Sequence, residues 1–374
     1  MAAVRGAAAV IAIAGAGPAG AAAAILLARG GHEVTLVERD RVAGHKMCGE
    51  FISREAVVDL EALGVDLAAL GACRIGRMRL VRGARVVEAA LPFVAASLTR
   101  RALDAALQAR AETCGVRLER GHAVRAVRRD ALELDGGDEL PAAAVLLATG
   151  KHELRGQRRV VPGAGAPTLV GFKTYWRLAP AQAAALAGHV EVLLFRDGGG
   201  GTYGGLQPVE DGGANLCLLV SRARLDAAGG RWDAVLGGLC EECRHLRVRL
   251  DGAVPLLERP LSIAGVPYGF VHRGGEDGVF RLGDQAAVIP SFSGDGMAIA
   301  LHSAGLAARV LLAGGDSGEY ARRMRADVAR PMRVARALSG LGRTRAGQAA
   351  LMAACGMWPG AIRAAALGTR VGVV

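Results

Sequence analysis

The sequence predicts an α/β fold: a doubly wound parallel sheet, an antiparallel-sheet domain inserted into it, and helices towards the C-terminal end. Three observations predict it. Short apolar runs at residues 8–14, 34–38 and 144–149 alternate with helix-period segments, as parallel strands covered on both faces require. From about Val160 the pattern changes to strand-length runs separated by glycine-rich turns, which is hairpin chemistry. The glycine-rich turn Gly15-Ala16-Gly17-Pro18-Ala19-Gly20 directly follows the first apolar run.

In chain order, residues 8–14 form the first strand, 19–30 an alanine-rich crossover helix and 34–38 the second strand. Residues 100–114 read as a helix, with Leu103, Ala106, Leu107 and Arg110 at helical spacing and Gly115 as its stop. Residues 144–149 close the first set of strands. The inserted sheet is expected from runs at 169–178, 190–196, 202–207 and 214–220. Its separators are Asp197-Gly198-Gly199-Gly200-Gly201 and Glu210-Asp211-Gly212-Gly213. Residues 231–250 read as a helix against that sheet, and 279–283 return to the parallel sheet. A helix is expected over 297–312, then helices over 320–374 broken at Pro331 and Pro359. The expected division is therefore a discontinuous nucleotide domain (1–75, 97–160, 273–319), a substrate domain (76–96, 161–272) and a C-terminal helical segment (320–374).

The chain has 374 residues and is 52% apolar, enough for two domains or one composite domain with a large core. Net charge is +11, yet Lys46, Lys151 and Lys173 are the only lysines. The arginines are scattered and no nucleic-acid motif accompanies them, so the excess reads as GC-rich coding, and no nucleic-acid partner is expected. Residues 7–28 carry no charge, but their glycines and Pro18 point to strand, turn and helix rather than to a membrane span or signal peptide. Seven irregularly spaced cysteines suggest reduced thiols and a cytoplasmic protein. Cys240-x-x-Cys243 lacks a second pair at zinc spacing, and His45, His152 and His272 have no partner spacing, so no metal site is expected.

The first turn carries the Rossmann-like dinucleotide pattern. Gly15 permits a tight exit from the strand, Gly17 admits a pyrophosphate against backbone, Gly20 allows close helix packing, and Pro18 and Ala19 start the helix. Glu38, 18 residues past Gly20 and followed by Arg39, suits the ribose hydroxyls. The second signature is Gly283-Asp284, then Pro290 and Gly294-Asp295-Gly296-Met297. An aspartate ending a strand can accept from a ribityl hydroxyl. The positive end of the following helix suits the pyrimidine edge of a flavin. One ligand reaching both signatures would be FAD.

On these motifs the chain resembles FAD-dependent oxidoreductases of the group that joins the p-hydroxybenzoate hydroxylase-like monooxygenases with the geranylgeranyl reductase family, over residues 8–312. The resemblance implies cofactor contacts from Gly15, Gly17, Gly20, Glu38, Gly283, Asp284, Pro290, Gly294 and Gly296. It adds Arg100, in Leu98-Thr99-Arg100 ahead of Asp104, and likens Lys46-Met47-Cys48-Gly49-Glu50 to the flavin-flanking Cys-Gly loop of the reductases. Thr149-Gly150 stands where the monooxygenases usually carry Asp-Gly, a departure from hydroxylase-type docking of a nicotinamide cofactor, although Arg155 matches the basic end of that motif.

Candidate catalytic residues are Cys48 near the flavin, Glu50 as a proton relay, and Tyr203 and Tyr268, expected with Tyr175 and Trp176 on strands facing the flavin. The leading expectation is an FAD enzyme that reduces a double bond of a hydrophobic substrate of prenyl or polyketide-like type, with NAD(P)H as electron donor. The alternatives are an NAD(P)H-dependent monooxygenase hydroxylating an aromatic ring, and a flavin-binding assembly or membrane-surface protein with little turnover. The last would contact lipid through Arg322, Arg323, Arg325, Arg330, Arg333 and Arg336.

Overall fold

Ile11, Ala12, Ile13 and Ala14 are all buried, so this strand shows an unbroken apolar run rather than alternation. A computed structural model describes residues 10–155, 157–161, 169–196, 201–274, 278–358 and 360–372. Within them, Ile11–Ala14 pairs in parallel with Val34–Glu38 on one side and Ala144–Leu147 on the other. Arg117–Arg120 and Phe280–Arg281 extend the two edges, also in parallel. The chain thus builds outward first to one side of Ile11–Ala14 and then to the other. The switch point lies at the carboxyl end of this strand, where open α/β sheets bind ligands.

Helices Pro18–Arg29, Arg100–Thr113 and Gly296–Leu312 cover one face of this sheet. Pro18–Arg29 packs on both of the others, and its small buried side chains Ala21, Ala22, Ala23 and Ala24 permit that approach. A three-stranded meander, Val124–Arg128, Ala131–Leu134 and Glu139–Pro141, packs against the other face. It was not expected, because its short strands carry charged residues that blur the period.

The second sheet holds Val254–Pro255, Leu169–Arg177, Ala214–Ser221, Tyr203–Pro208, His189–Leu194, Cys73–Arg82, Arg85–Ser97 and Phe51–Ile52 in that order, with Leu261–Ala264 also pairing Leu169–Arg177. His189–Leu194 meets Cys73–Arg82 in parallel, and this junction joins the early hairpin to the later strands. Three expectations change here. The hairpin runs from Cys73 to Ser97, past the boundaries expected at 76 and 96, because its ladder is bonded along most of that length. Phe51–Ile52 leaves the first segment to pair with its far strand. The helix expected over 231–250 is two helices, Trp232–Glu242 and Arg244–Arg249, parted by the extended backbone of Cys243.

The C-terminal segment forms helices Ser317–Gly342, Arg345–Met357 and Gly360–Gly368. Pro331 does not end the first of them. Its ring is buried beside Val328, Met332 and Ala335, and that packing offsets the lost backbone hydrogen bond. The other expected break, Pro359, lies outside the described residues, as do residues 8–9 of the first strand and the turn at 197–200. The last two helices pack on Arg85–Ser97 and on Ser317–Gly342. Among the described residues no single helix is long and apolar enough to cross a membrane.

Candidate functional site

The phosphate-type turn is built as its glycines require. Gly15 has φ of 101°, and a Cβ there would stand 2.6 Å from the Ala148 carbonyl oxygen. A Cβ on Gly20 would lie 1.9 Å from the Gly15 carbonyl oxygen, so the helix seats on its own turn only without one. Gly17 differs: its backbone is ordinary extended chain, and a Cβ would point at Arg100 Nη2, 3.2 Å away. The space between Gly17 and Arg100 is thus kept open by the missing side chain. Pro18 and Ala19 begin the helix whose positive end faces that space.

Glu38 accepts from the amide of Ala16 at 2.8 Å and from that of Asp40 at 3.2 Å. Its carboxylate is therefore fixed at the carboxyl end of the neighbouring strand. Arg39 turns outward to Asp40 and is not brought to the turn. Arg100 is held by a two-point contact with Asp104, both bonds 2.7 Å.

The late signature meets the first. A Cβ on Gly283 would come 3.2 Å from the Ala19 Cβ, so the two glycine-rich segments touch although they are remote in sequence. Gln285 Nε2 donates to Thr149 Oγ1, to the Gly150 carbonyl and to the His152 carbonyl, which staples the Thr149-Gly150 loop to the Gly283-Asp284 turn. Asp284 pairs with Lys151 at 3.0 Å, and its carbonyl accepts from Arg159 at 2.6 Å. Added Cβ atoms on Gly150 or Gly296 would meet nothing within 4 Å. A glycine-lined crevice with an acid at the ribose end, an arginine at the centre and a helix start at each glycine cluster fits FAD.

Beside that crevice lies a cavity of about 240 Å³. Its walls are apolar: Met78, Leu80, Val190 and Val192 come from the second sheet, and Leu351 and Ile362 from the C-terminal helices. Its polar end holds Cys48, Glu50, Lys151 and Asp284, and Gly294, Gly296 and Met297 border it. Pro290 leads into the short turn Ser291–Ser293, which ends at Gly294 with φ of 74°. Of the expected catalytic tyrosines, Tyr203 reaches the cavity from its strand and shares a 2.8 Å hydrogen bond with Ser291. Tyr268 also lines the cavity, but from a turn rather than a strand. Burial pushes both phenols up, so they stay protonated. Trp176 faces away and packs with the core on the opposite side of the sheet, because successive strand residues point to opposite faces.

Glu50 carries φ of 63°, an uncommon conformation for a residue with a side chain. Its carboxylate is fully buried. Oε1 is 2.5 Å from Lys173 Nζ and accepts from Tyr175 and from the Arg100 amide, each at 2.7 Å, while Oε2 has no hydrogen-bond partner. Burial pushes this carboxyl up, and Lys173, Tyr175 and Arg100 oppose the shift without cancelling it. The Glu50 amide donates to Cys48 Sγ at 3.3 Å, and the Arg100 guanidinium lies against the same sulfur. Asn215 donates to the Gly49 carbonyl at 2.9 Å. His45 tilts on Tyr175 with centroids 4.6 Å apart. The Cys48-Gly49-Glu50 loop is thereby tied at every residue to the second sheet or to Arg100.

Sequence reasoning missed Lys151, Lys173 and Asn215. A signal for the two lysines was present: of 46 basic residues only three are lysine, and all three gather here. Lys46 pairs with Asp40, its carbonyl accepts from Lys173 at 3.0 Å, and Lys151 holds Asp284.

Asp295 is fully buried against Arg370 and Thr369 of the C-terminal segment. Burial pushes its carboxyl up to about 7 from the ordinary 3.8, with Arg370 pulling the other way. A raised folded-state value means that the native state holds the proton more tightly than the unfolded chain. The associated stability is full below pH 3.8 and is lost as pH rises through about 7. Urea midpoints of the apoprotein should fall across that window, and Asp295→Asn should flatten the fall. An unchanged slope in the variant would assign the pH dependence to other groups.

Residues 7–137 match the family model described as an FAD binding domain. A menaquinone reductase of Mycolicibacterium smegmatis is 27% identical over 328 residues, covering 82% of this chain and 76% of that protein. A Mycobacterium tuberculosis protein of the same name is 27% identical over 83% of this chain and 78% of its own length. Among solved structures, a flavoprotein/dehydrogenase from Cytophaga hutchinsonii aligns with a TM-score of 0.78 at 19% identity, covering 96% of this chain and 92% of that one. The flavin-dependent brominase Bmp2 aligns with the same score and coverage at 16% identity. The structural likenesses establish the fold, a parallel-sheet FAD domain with an added antiparallel sheet and C-terminal helices.

Proposed function

We propose that this FAD-dependent oxidoreductase reduces a carbon–carbon double bond in a hydrophobic substrate of prenyl or polyketide-like type, with NAD(P)H as the electron source. Menaquinone, the substrate in the names of the mycobacterial relatives, falls within this class. The observation that carries the reading is the apolar cavity, whose polar end, bordered by Asp284, Gly294 and Gly296 of the late signature, lies beside the crevice where the two glycine signatures meet. When bound and reduced, FAD supplies a hydride at that end. Gly17, Arg100, Glu38 and Asp284 would hold it there.

The chain's own residues have two tasks. The apolar walls exclude water and orient a greasy chain with its reacting carbons towards Cys48, Glu50 and Lys151. A proton must also reach the second carbon. Tyr203, Ser291 and Tyr268 line the cavity as a row of hydroxyls, and burial keeps both phenols protonated and able to donate. Thr149, in place of an acid, weighs against hydroxylase-type docking of the nicotinamide.

Mass spectrometry of the product formed under labelled oxygen tests the reading. Reduction adds two hydrogens, at least one of them from solvent deuterium oxide, and leaves the label in the gas. A labelled oxygen atom in the product would replace it with aromatic hydroxylation.

A further inference from the structure

From Val328 to Val374 the sequence contains seven arginines and no aspartate or glutamate. Within that stretch the helix Arg345–Met357 turns an unusual face outward. Ala346, Ala349, Ala350, Ala353 and Met357 are all exposed, and their spacing places them on one side. A surface helix ordinarily shows charge there. Its other side, through Leu351 and Cys355, lines the cavity. The chain then bends by 116° into Gly360–Gly368, and at the corner Met357 and Trp358 are 82% and 63% exposed. Leu367 is exposed on the second helix, whose Ile362 and Ala366 line the same cavity.

We infer that this corner docks on an anionic lipid bilayer. Met357, Trp358 and Leu367 enter the boundary between headgroups and acyl chains, and Arg343, Arg345 and Arg363 meet the lipid phosphates. Charge decides the occupant. A second copy of the chain would set arginines against arginines with no acid in the segment to relieve them, since a two-fold contact presents the same patch twice. A bilayer supplies the anions and needs no shaped pocket. Tryptophan suits the interface, with an apolar body and a polar N–H, and an apolar helix flanked by cations lies in that plane. The inner side of the docked helices is the cavity wall, so a substrate dissolved in the bilayer lies about one helix diameter, ~10 Å, from the cavity. This last consequence rests on the proposed substrate class, whereas the docking itself does not.

The test uses the full FAD-loaded chain with vesicles of phosphatidylcholine alone or mixed with phosphatidylglycerol. The expected result is co-sedimentation with the mixed vesicles, weakened by salt, together with a blue shift of tryptophan emission that is absent from Trp358→Ser. Arg345→Gln and Arg363→Gln should each weaken binding about fivefold. The variants alter exposed side chains, and retained yellow colour with unchanged circular dichroism confirms that they fold. Three results would overturn the inference: failure to bind the mixed vesicles, binding that Trp358→Ser leaves intact, or a dimer in the ultracentrifuge that Trp358→Ser dissociates. None of these readouts depends on turnover, so they stand apart from the proposed reaction.

Discussion

Gly17→Val should fold normally and purify without colour. The backbone at Gly17, with φ of −75° and ψ of −175°, is one that valine adopts freely, so no strain enters. The added carbons would occupy the gap towards Arg100, whose Nη2 lies 3.2 Å from the first of them. That gap is where the pyrophosphate must approach backbone amides. Losing two hydrogen bonds to a charged group costs about 3–6 kcal/mol, which weakens FAD binding at least ~100-fold. Titration of apoprotein with FAD, followed by quenching of flavin fluorescence, measures the loss, and urea unfolding of the same apoprotein should match the parent. A yellow Gly17→Val protein would remove this turn from the cofactor site. The comparison is informative because Gly20 offers no such separation. A side chain there would collide with the Gly15 carbonyl and damage the fold together with the site.

Lys173→Met should destabilise the apoprotein by about 3–5 kcal/mol, because it leaves the Glu50 carboxylate buried without its cation. Both side chains have no solvent exposure, so water cannot substitute for the missing charge. The double variant Lys173→Met with Glu50→Gln should recover most of that loss, since neither side chain then carries charge. Urea denaturation of the four proteins closes the cycle. If the double variant is no more stable than Lys173→Met alone, the lysine supports the loop through its 3.0 Å bond to the Lys46 carbonyl rather than through Glu50. Breaking the pair should also loosen Cys48-Gly49-Glu50, since Glu50 donates to Cys48 Sγ and accepts from the Arg100 amide.

The parallel strands were legible because a strand covered on both faces must be apolar at every position, and Ile11–Ala14 satisfies this without reference to any other residue. The first glycine turn was partly legible for a similar reason: the two atoms nearest a side chain on Gly20, the Gly15 carbonyl oxygen and carbon, lie five residues away, whereas those that exclude one on Gly15 belong to Ala148 and Thr149. Where local signals compete with packing, they misled. Pro331 reads as a break, yet its burial keeps the helix running. Phe51–Ile52, expected within the nucleotide domain, is drawn into the ladder of the second sheet by Ser97 and Ala96.

Sequence by itself determined the kind of ligand. The spacing of Gly15, Gly17, Gly20 and Glu38, and the later Gly283-Asp284, are properties of short segments whose chemistry does not depend on where the rest of the chain goes. Tertiary structure alone decided what the ligand faces. Tyr175 and Trp176 are neighbours, yet the register that sets them opposite Asn215 and Ala214 turns one to Glu50 and the other to the opposite core, and a slip of one residue would exchange them. The Lys173–Glu50 pair and the helical wall over the cavity likewise join segments more than a hundred residues apart. Such contacts are fixed by strand pairing and helix packing, which no local pattern specifies.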